Sequence, residues 1–193
     1  LEYQGYSVVH VQNFTDIEDR IIEVAKRDGS TIEELSSHYI ERFLTEMDSF
    51  GIQRAHYYPR ATDYIGQMID IIGSLIEKGH AYDVDGDVYF RVNKFSGYGS
   101  LSKRTTSEMK SGTRVDVDER KEDPMDFALW KSHKEGEPYW PSPWGNGRPG
   151  WHIECSAMSL SILVDRVDIL GGGQDVIFPH HENELAQCCG VHN

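Results

Sequence analysis

No run in this 193-residue sequence approaches eighteen apolar residues, which excludes a membrane-spanning helix by length. The opening residues, LEYQGYSVVHV, lack the basic and apolar blocks of a secretory signal. They read instead as a helix end running through Gly5 into a strand, so the chain is expected to begin within a fold. Cysteine is scarce: only Cys155, Cys188 and Cys189 occur. An odd number with two adjacent members is no disulfide framework and suits a reducing, cytoplasmic setting. Positive charge is also short, with 19 Lys and Arg against 32 Asp and Glu and a net charge of −13. That is the reverse of a nucleic-acid-binding footprint, so any such contact needs a local basic patch or another part of the protein. What is present is 38% hydrophobic and 26% charged residues, the composition of a soluble globular protein with a real core. The length suits one domain with an insertion, or two small ones. No internal repeat is visible.

The pattern along the chain predicts strands alternating with helices. Residues 6–11, YSVVHV, read as a short buried strand. NFTDIEDRI, 13–21, turns from polar to helical. A helix is expected from Thr31 to about Phe50: Thr31 and Glu34 form a capping box, and Ile32, Leu35, Tyr39, Phe43 and Met47 recur on one face. Gly51 fits its stop. Beyond Pro59, Thr62 is the expected N-cap of a second helix with the stripe Ile65, Met68, Ile69, Ile72, Leu75 and Ile76, closed by Gly79. GDVYFRV, 86–92, alternates and predicts a strand with one wet face. Residues 93–123 are polar and charged; TRVDV there predicts one short edge strand, and DERKED a solvated face or loop. PYWPSPWGNGRPG, 138–150, predicts irregular chain with stiff turns, and Trp140, Trp144 and Trp151 argue against a free linker. WHIECSAMSL predicts a helix, RVDILGGG a short apolar strand, and FPHHENELAQCC a helix with Pro179 in its first turn. The alternation favours an α/β fold built on a parallel sheet.

Four segments carry residues suited to chemistry. In FPHHENELAQCC, His180 and Glu184 stand four apart and share a helix face, an imidazole and a carboxylate of the kind zinc accepts. His181 pairs less squarely with Glu184. Cys155 is the natural third donor and Cys188 a rival, and spacing does not choose between them. The structural alternative is a helix start whose acids complement the dipole. In GGGQD, 171–175, glycines at a strand end offer backbone N–H groups to a ligand and Asp175 can accept from a ribose hydroxyl; equally, glycine can be there for a tight turn. In NFTDIEDRI, Thr15 can hold a small substrate, or Thr15 or Asp16 can simply cap the following helix. In GWHIEC, Trp151 and His152 can wall a pocket beside Cys155, although core packing is the default for Trp151.

Together these blocks, NFTDIEDRI, then DPMDFALWKSHKEGEPYWPSPWGNGRPGWHIECSAMS, then GGGQDVIFPHHENELAQ, resemble the cysteinyl-tRNA synthetase family across essentially the whole chain. A related ligase of mycothiol biosynthesis shares the FPHHE block, but ENELAQ and the long connecting segment look more like the synthetase. The resemblance implies a Rossmann-type class I catalytic domain: residues 1–79 in its first half, 80–140 a connective-peptide insertion, 141–193 its second half. It implies zinc held by Cys155, His180 and Glu184, with a fourth cysteine ligand and a His-Ile-Gly-His motif before Leu1. A Lys-Met-Ser-Lys-Ser loop and anticodon-binding helices are expected after Asn193. On this resemblance Thr15, Trp151 and His152 would contact cysteine, and Gly173 and Asp175 the ribose of ATP, which acts with Mg2+. The implied partners are L-cysteine, ATP and tRNA(Cys), for a cytoplasmic monomer with no membrane contact. Lys103, Arg104, Arg114 and Lys131 are the candidate contacts to the tRNA acceptor end. Zinc would select cysteine over serine as a thiolate. The fragment alone is expected to be inactive, and Cys188 and Cys189 to be helix packing. Competing readings are the mycothiol-pathway ligase, a zinc-binding module without catalysis, and a zinc hydrolase with Glu182 or Glu184 as general base.

Overall fold

The computed structural model describes residues 1–104, 119–164 and 166–192. The expected TRVDV strand and Arg114 lie outside them. Five helices are described: α1 (Asp19–Asp28), α2 (Ile32–Ser49), α3 (Ile65–Glu77), α4 (Ile153–Leu163) and α5 (Glu182–His192). Four strands, β1 (Ala81–Val84), β2 (Asp87–Phe90), β3 (Phe127–Ser132) and β4 (Gly147–Pro149), form one sheet in that order. Among the described residues no helix is long and apolar enough to cross a membrane.

The helix signals operate much as their local chemistry dictates. Thr31 accepts from the Glu34 N–H at 3.1 Å while Glu34 accepts from the Thr31 N–H at 3.0 Å, closing the capping box. Gly51, at φ +68°, ends α2 in the left-handed region. The buried face of α2 is turned by one residue from the expected one: Ile40 is buried and Tyr39 faces out. Thr62 is not an N-cap. It sits in a 3-10 turn, Ala61–Tyr64, and both its N–H (2.9 Å) and its hydroxyl (2.6 Å) donate to the buried carboxylate of Asp16. Neither Thr15 nor Asp16 caps α1; Glu18 does, accepting from the Arg20 N–H. NFTDIEDRI therefore braces the entry to α3 from a distance.

The sheet departs further from expectation. It is antiparallel throughout its four strands. Parallel pairing is confined, among the described residues, to bridges between Val11 and Tyr57 and between Phe14 and Arg60. The turn Asp85–Gly86, with φ of +54° and +89°, closes a β1–β2 hairpin that the single expected strand over 86–92 did not include. No face of β2 is wet. Val88 and Phe90 enter the core, while Asp87 is covered by accepting from the Ser132 N–H at 2.7 Å and from Arg120 at 2.7 Å. Residues 6–11 are not a buried strand either: Tyr6 and Val9 are exposed, because among the described residues only the 55–60 segment pairs alongside. The RVDILGGG segment forms no strand; Val167, Ile169 and Leu170 are exposed and no described strand offers them a ladder.

The core is continuous across the chain. The α3 stripe of Ile65, Met68, Ile72 and Leu75 packs with Ile153, Ala157 and Met158 of α4 and with Val88, Phe90, Leu129 and Trp130 of the sheet. The sheet thus serves as the floor on which α3 and α4 rest, and α4 in turn carries its first-turn residues to one fixed place. Ile72→Ala, at a fully buried position, is expected to lower the unfolding free energy by about 2–5 kcal/mol. Asp16→Ala is expected to cost about 1–3 kcal/mol, because two donors of the 61–64 turn lose their acceptor. Urea titration followed by circular dichroism measures both.

Candidate metal centre

Two chain reversals build the centre. Tight passage of Gly150 over the Ala128 carbonyl, where a side chain has no room, turns the chain from β4 into α4. This places Trp151 and His152 just before the helix and Cys155 in its first turn. On the other side, residues 177–181 form one wide turn in which Phe178 is extended (φ −121°, ψ 127°). The regular helix consequently starts at Glu182 rather than at Pro179. His180 and His181 belong to this turn, yet His180 still faces Glu184.

Cys155, His180 and Glu184 converge, each offering a donor atom within 4.8 Å of the others. The Cys155 Sγ is 3.6 Å from His180 Nε2, and His180 Nε2 is 3.6 Å from Glu184 Oε1. Around a tetrahedral zinc ion, sulfur and nitrogen ligands would be about 3.6 Å apart, and nitrogen and oxygen ligands about 3.4 Å. Spacing and donor type both fit such an ion. The electrostatics fit as well. Burial and the neighbouring Glu184 push the Cys155 thiol well above its ordinary range. Burial raises Glu184 to about 7, and burial, with His181 adding to it, lowers His180 to about 4. A buried divalent cation would stabilise the thiolate and carboxylate that burial disfavours.

The surroundings orient these donors. His152 Nδ1 lies 2.9 Å from His180 Nδ1, and burial, with His180 adding to it, lowers His152 to about 3. Trp151 stacks on His180 at 4.6 Å and 21°. It is 42% exposed, so it is a wall of the site and not a core residue. Asn13 Nδ2 donates to Cys155 Sγ at 3.5 Å, a contact NFTDIEDRI concealed behind its capping signals. A cavity of about 820 Å³ opens over the centre; Asn13, Thr15, Trp151 and the 171–173 glycines share its lining with the three donors. Met158, Leu163 and Leu170 add apolar surface to the lining. Cys188 and Cys189 also line it, and burial raises the Cys188 thiol. His152 and Asp175 are not in the lining: His152 backs His180, and Asp175 is exposed beside Gly173.

Glu182 and Asn183 were not distinguished by spacing. The fully buried Glu182 carboxylate accepts from the N–H groups of Gly99 (2.8 Å) and Ser102 (2.7 Å), and Asn183 accepts from the Tyr98 hydroxyl. They clamp the 98–102 loop, which leaves Glu182 facing away from the cavity and unsuited to act as a base there. Arg104 at the loop's end lies over the Phe178 ring at 5.0 Å, and Lys103 is exposed beside it. Lys131 is engaged by Asp19 at 2.8 Å. Glu154 is buried with neither oxygen in a hydrogen bond of normal geometry, although Thr15 lies near. Burial raises it to about 9.

The family model of tRNA synthetases class I (C), catalytic domain, matches residues 1–193. Among curated proteins, the chain is 56% identical over 186 residues to a protein named cysteine–tRNA ligase from Carboxydothermus hydrogenoformans. It is 55% identical over 186 residues to one of the same name from Caldicellulosiruptor saccharolyticus. Each match covers 96% of this chain and 40% of the relative, so the chain spans about two fifths of the length of these relatives.

Glu184 generates a pH prediction for metal-free protein. Its carboxyl, normally near 4.5, titrates near 7 when folded. Between those values the native state holds a proton that the unfolded state has released, so native stability falls as pH rises, and falls no further above about 7. Glu184→Gln lacks this loss. Its stability advantage over the parent chain should grow by on the order of 1–3 kcal/mol across pH 4.5–7 and then level off. Denaturant titrations at stepped pH in chelator measure the difference; a flat difference would contradict the raised pKa.

Proposed function

The chain belongs to the class I (C) tRNA synthetase catalytic-domain family, and from that premise we propose that it forms the cysteine-selecting part of a cysteine–tRNA ligase. The reaction is activation of L-cysteine by ATP, with Mg2+, to cysteinyl-adenylate, followed by transfer to tRNA(Cys). The observation that carries the proposal is the convergence of Cys155, His180 and Glu184 at the floor of an open cavity. The identity to proteins named cysteine–tRNA ligase supports it.

Selection of cysteine poses the hardest chemical problem, since serine differs by one atom and an apolar pocket separates near-isosteres poorly. Cys155, His180 and Glu184 would hold zinc, which, when bound, supplies a soft centre that prefers a thiolate to a hydroxyl. The chain's own residues prepare that centre. For Nε2 of His180 to present a lone pair toward Cys155 and Glu184, its proton must be on Nδ1. That proton is then donated to Nδ1 of His152, which carries its own on Nε2. Burial keeps both rings neutral, as ligation and this tautomer pairing require. Asn13 adds a donor to the Cys155 sulfur and so favours the thiolate.

The remaining roles follow position. Trp151, stacked on His180 and partly exposed, closes one wall against bound cysteine, and Thr15 stands in the lining where it can meet the amino-acid backbone. His152 acts on the substrate through His180. Gly173, in the cavity lining, and the exposed Asp175 beside it hold the ribose of ATP. Attack of a carboxylate on the α-phosphate requires orientation and charge stabilisation, and no general base is assigned. In this reading residues 80–140 are the connective insertion between halves 1–79 and 141–193 of a Rossmann-type domain. Lys103 and Arg104 face the acceptor end of tRNA, and the protein acts as a cytoplasmic monomer.

Calorimetry of cysteine and serine binding to the zinc-loaded protein tests the proposal. Cysteine should bind at least about a thousandfold tighter, beyond the roughly 10–200-fold that a pocket working by shape alone supplies for so small a difference. Equal affinities would defeat it. Cys155→Ser and Glu184→Gln should each weaken zinc binding by tenfold or more in chelator competition, and affinity should rise with pH as protons are displaced from the ligands.

A further inference from the structure

The His181 ring stands between the glycine turn and the metal centre. Its Nδ1 is 3.9 Å from Glu184 Oε2, the oxygen not directed at His180. The adjoining Cε1–Nε2 edge of the ring lies against Gly172 so closely that a Cβ at Gly172 would collide with it. The His180 ring stands edge-on to it at 5.6 Å. His181 is buried, and it supplies no donor to the Cys155, His180 and Glu184 group.

We infer that His181 is a positioning residue that ties the 171–173 turn to the Glu184 carboxylate. Its Nδ1 faces Oε2 and leaves Oε1 toward His180, while its Cε1–Nε2 edge fixes how near the turn can come. Gly172 is required here for space, since any side chain must drive the ring toward Glu184 or force the turn outward. The inference rests on the metal-centre reading above. It adds that a residue lying outside the ligand set, in the segment proposed to meet the nucleotide, governs metal affinity through one imidazole.

The test is a mutant cycle on the full chain, read as zinc affinity by competition with a chromophoric chelator. Gly172→Ala should weaken zinc binding about tenfold or more, the size expected for a disturbed outer-shell partner. His181→Ala should weaken it similarly. The double variant should be no weaker than His181→Ala alone, because without the ring the added methyl meets nothing. His181→Asn keeps a donor near Glu184 but lacks the Cε1–Nε2 edge that meets Gly172. It should bind zinc within about threefold of the parent and be insensitive to Gly172→Ala. A Gly172→Ala protein with parental affinity, or additive losses in the double variant, overturns the inference. Should Gly172→Ala alone not fold, the His181→Asn background decides: a further loss there on adding Gly172→Ala also overturns it. A parent chain that takes up no zinc would overturn the metal centre itself, a failure distinct from either of these.

Discussion

The structure around α4 and α5 depends on one electrostatic constraint: a thiol, an imidazole and a carboxyl are buried against each other with their donor atoms within 4.8 Å. Among the described residues no lysine or arginine forms an ion pair with them. Without a cation, each is driven toward its neutral form, and the seam between the helices resembles an ordinary half-polar packing surface. With a divalent cation the same atoms become a strong anionic and imidazole ligand set. The hydrophobic floor of α3 and the sheet has one functional duty in this account, which is to keep α4 from yielding when that choice is made.

The FPHHENE stretch divides its polar residues among separate tasks. His180 and Glu184 turn to the cavity, His181 lines it against the glycine turn, and Glu182 and Asn183 turn to the 98–102 loop. The wide turn at 177–181 makes this possible, because it releases the two histidines from the strict 100° step of a helix. Adjacent residues can then serve opposite sides of one seam.

What was legible in the sequence follows the range of the interactions involved. The Thr31 capping box, the α3 stripe and the Gly51 and Gly79 stops are local and stand as read. The second face of β2 was not legible, because its cover comes from Arg120 and Ser132, far away in the chain. Exposure of 6–11 and 166–170 was equally hidden: an apolar alternating run names a strand only if a neighbour supplies the ladder. The candidate metal donors Cys155, His180 and Glu184 stand out only when the blocks are taken together, since spacing alone left Cys188 open beside Cys155. Asn13, Glu182 and His181 act across gaps of 142, 80 or more, and a handful of residues, and none advertises its partner by pattern.

The clamp of Glu182 on Gly99 and Ser102 bears on how this fold can be cut and rejoined. One carboxylate satisfies two backbone donors of a loop more than eighty residues away, two positions from a metal-centre histidine. The loop and the centre are therefore coupled through the Glu182 side chain. A chimaera that keeps Gly99, Ser102 and Glu182 from one parent keeps this clamp intact. One whose junction falls between Tyr98 and Ser102 would set a foreign backbone against the buried Glu182 carboxyl, two positions from both His180 and Glu184.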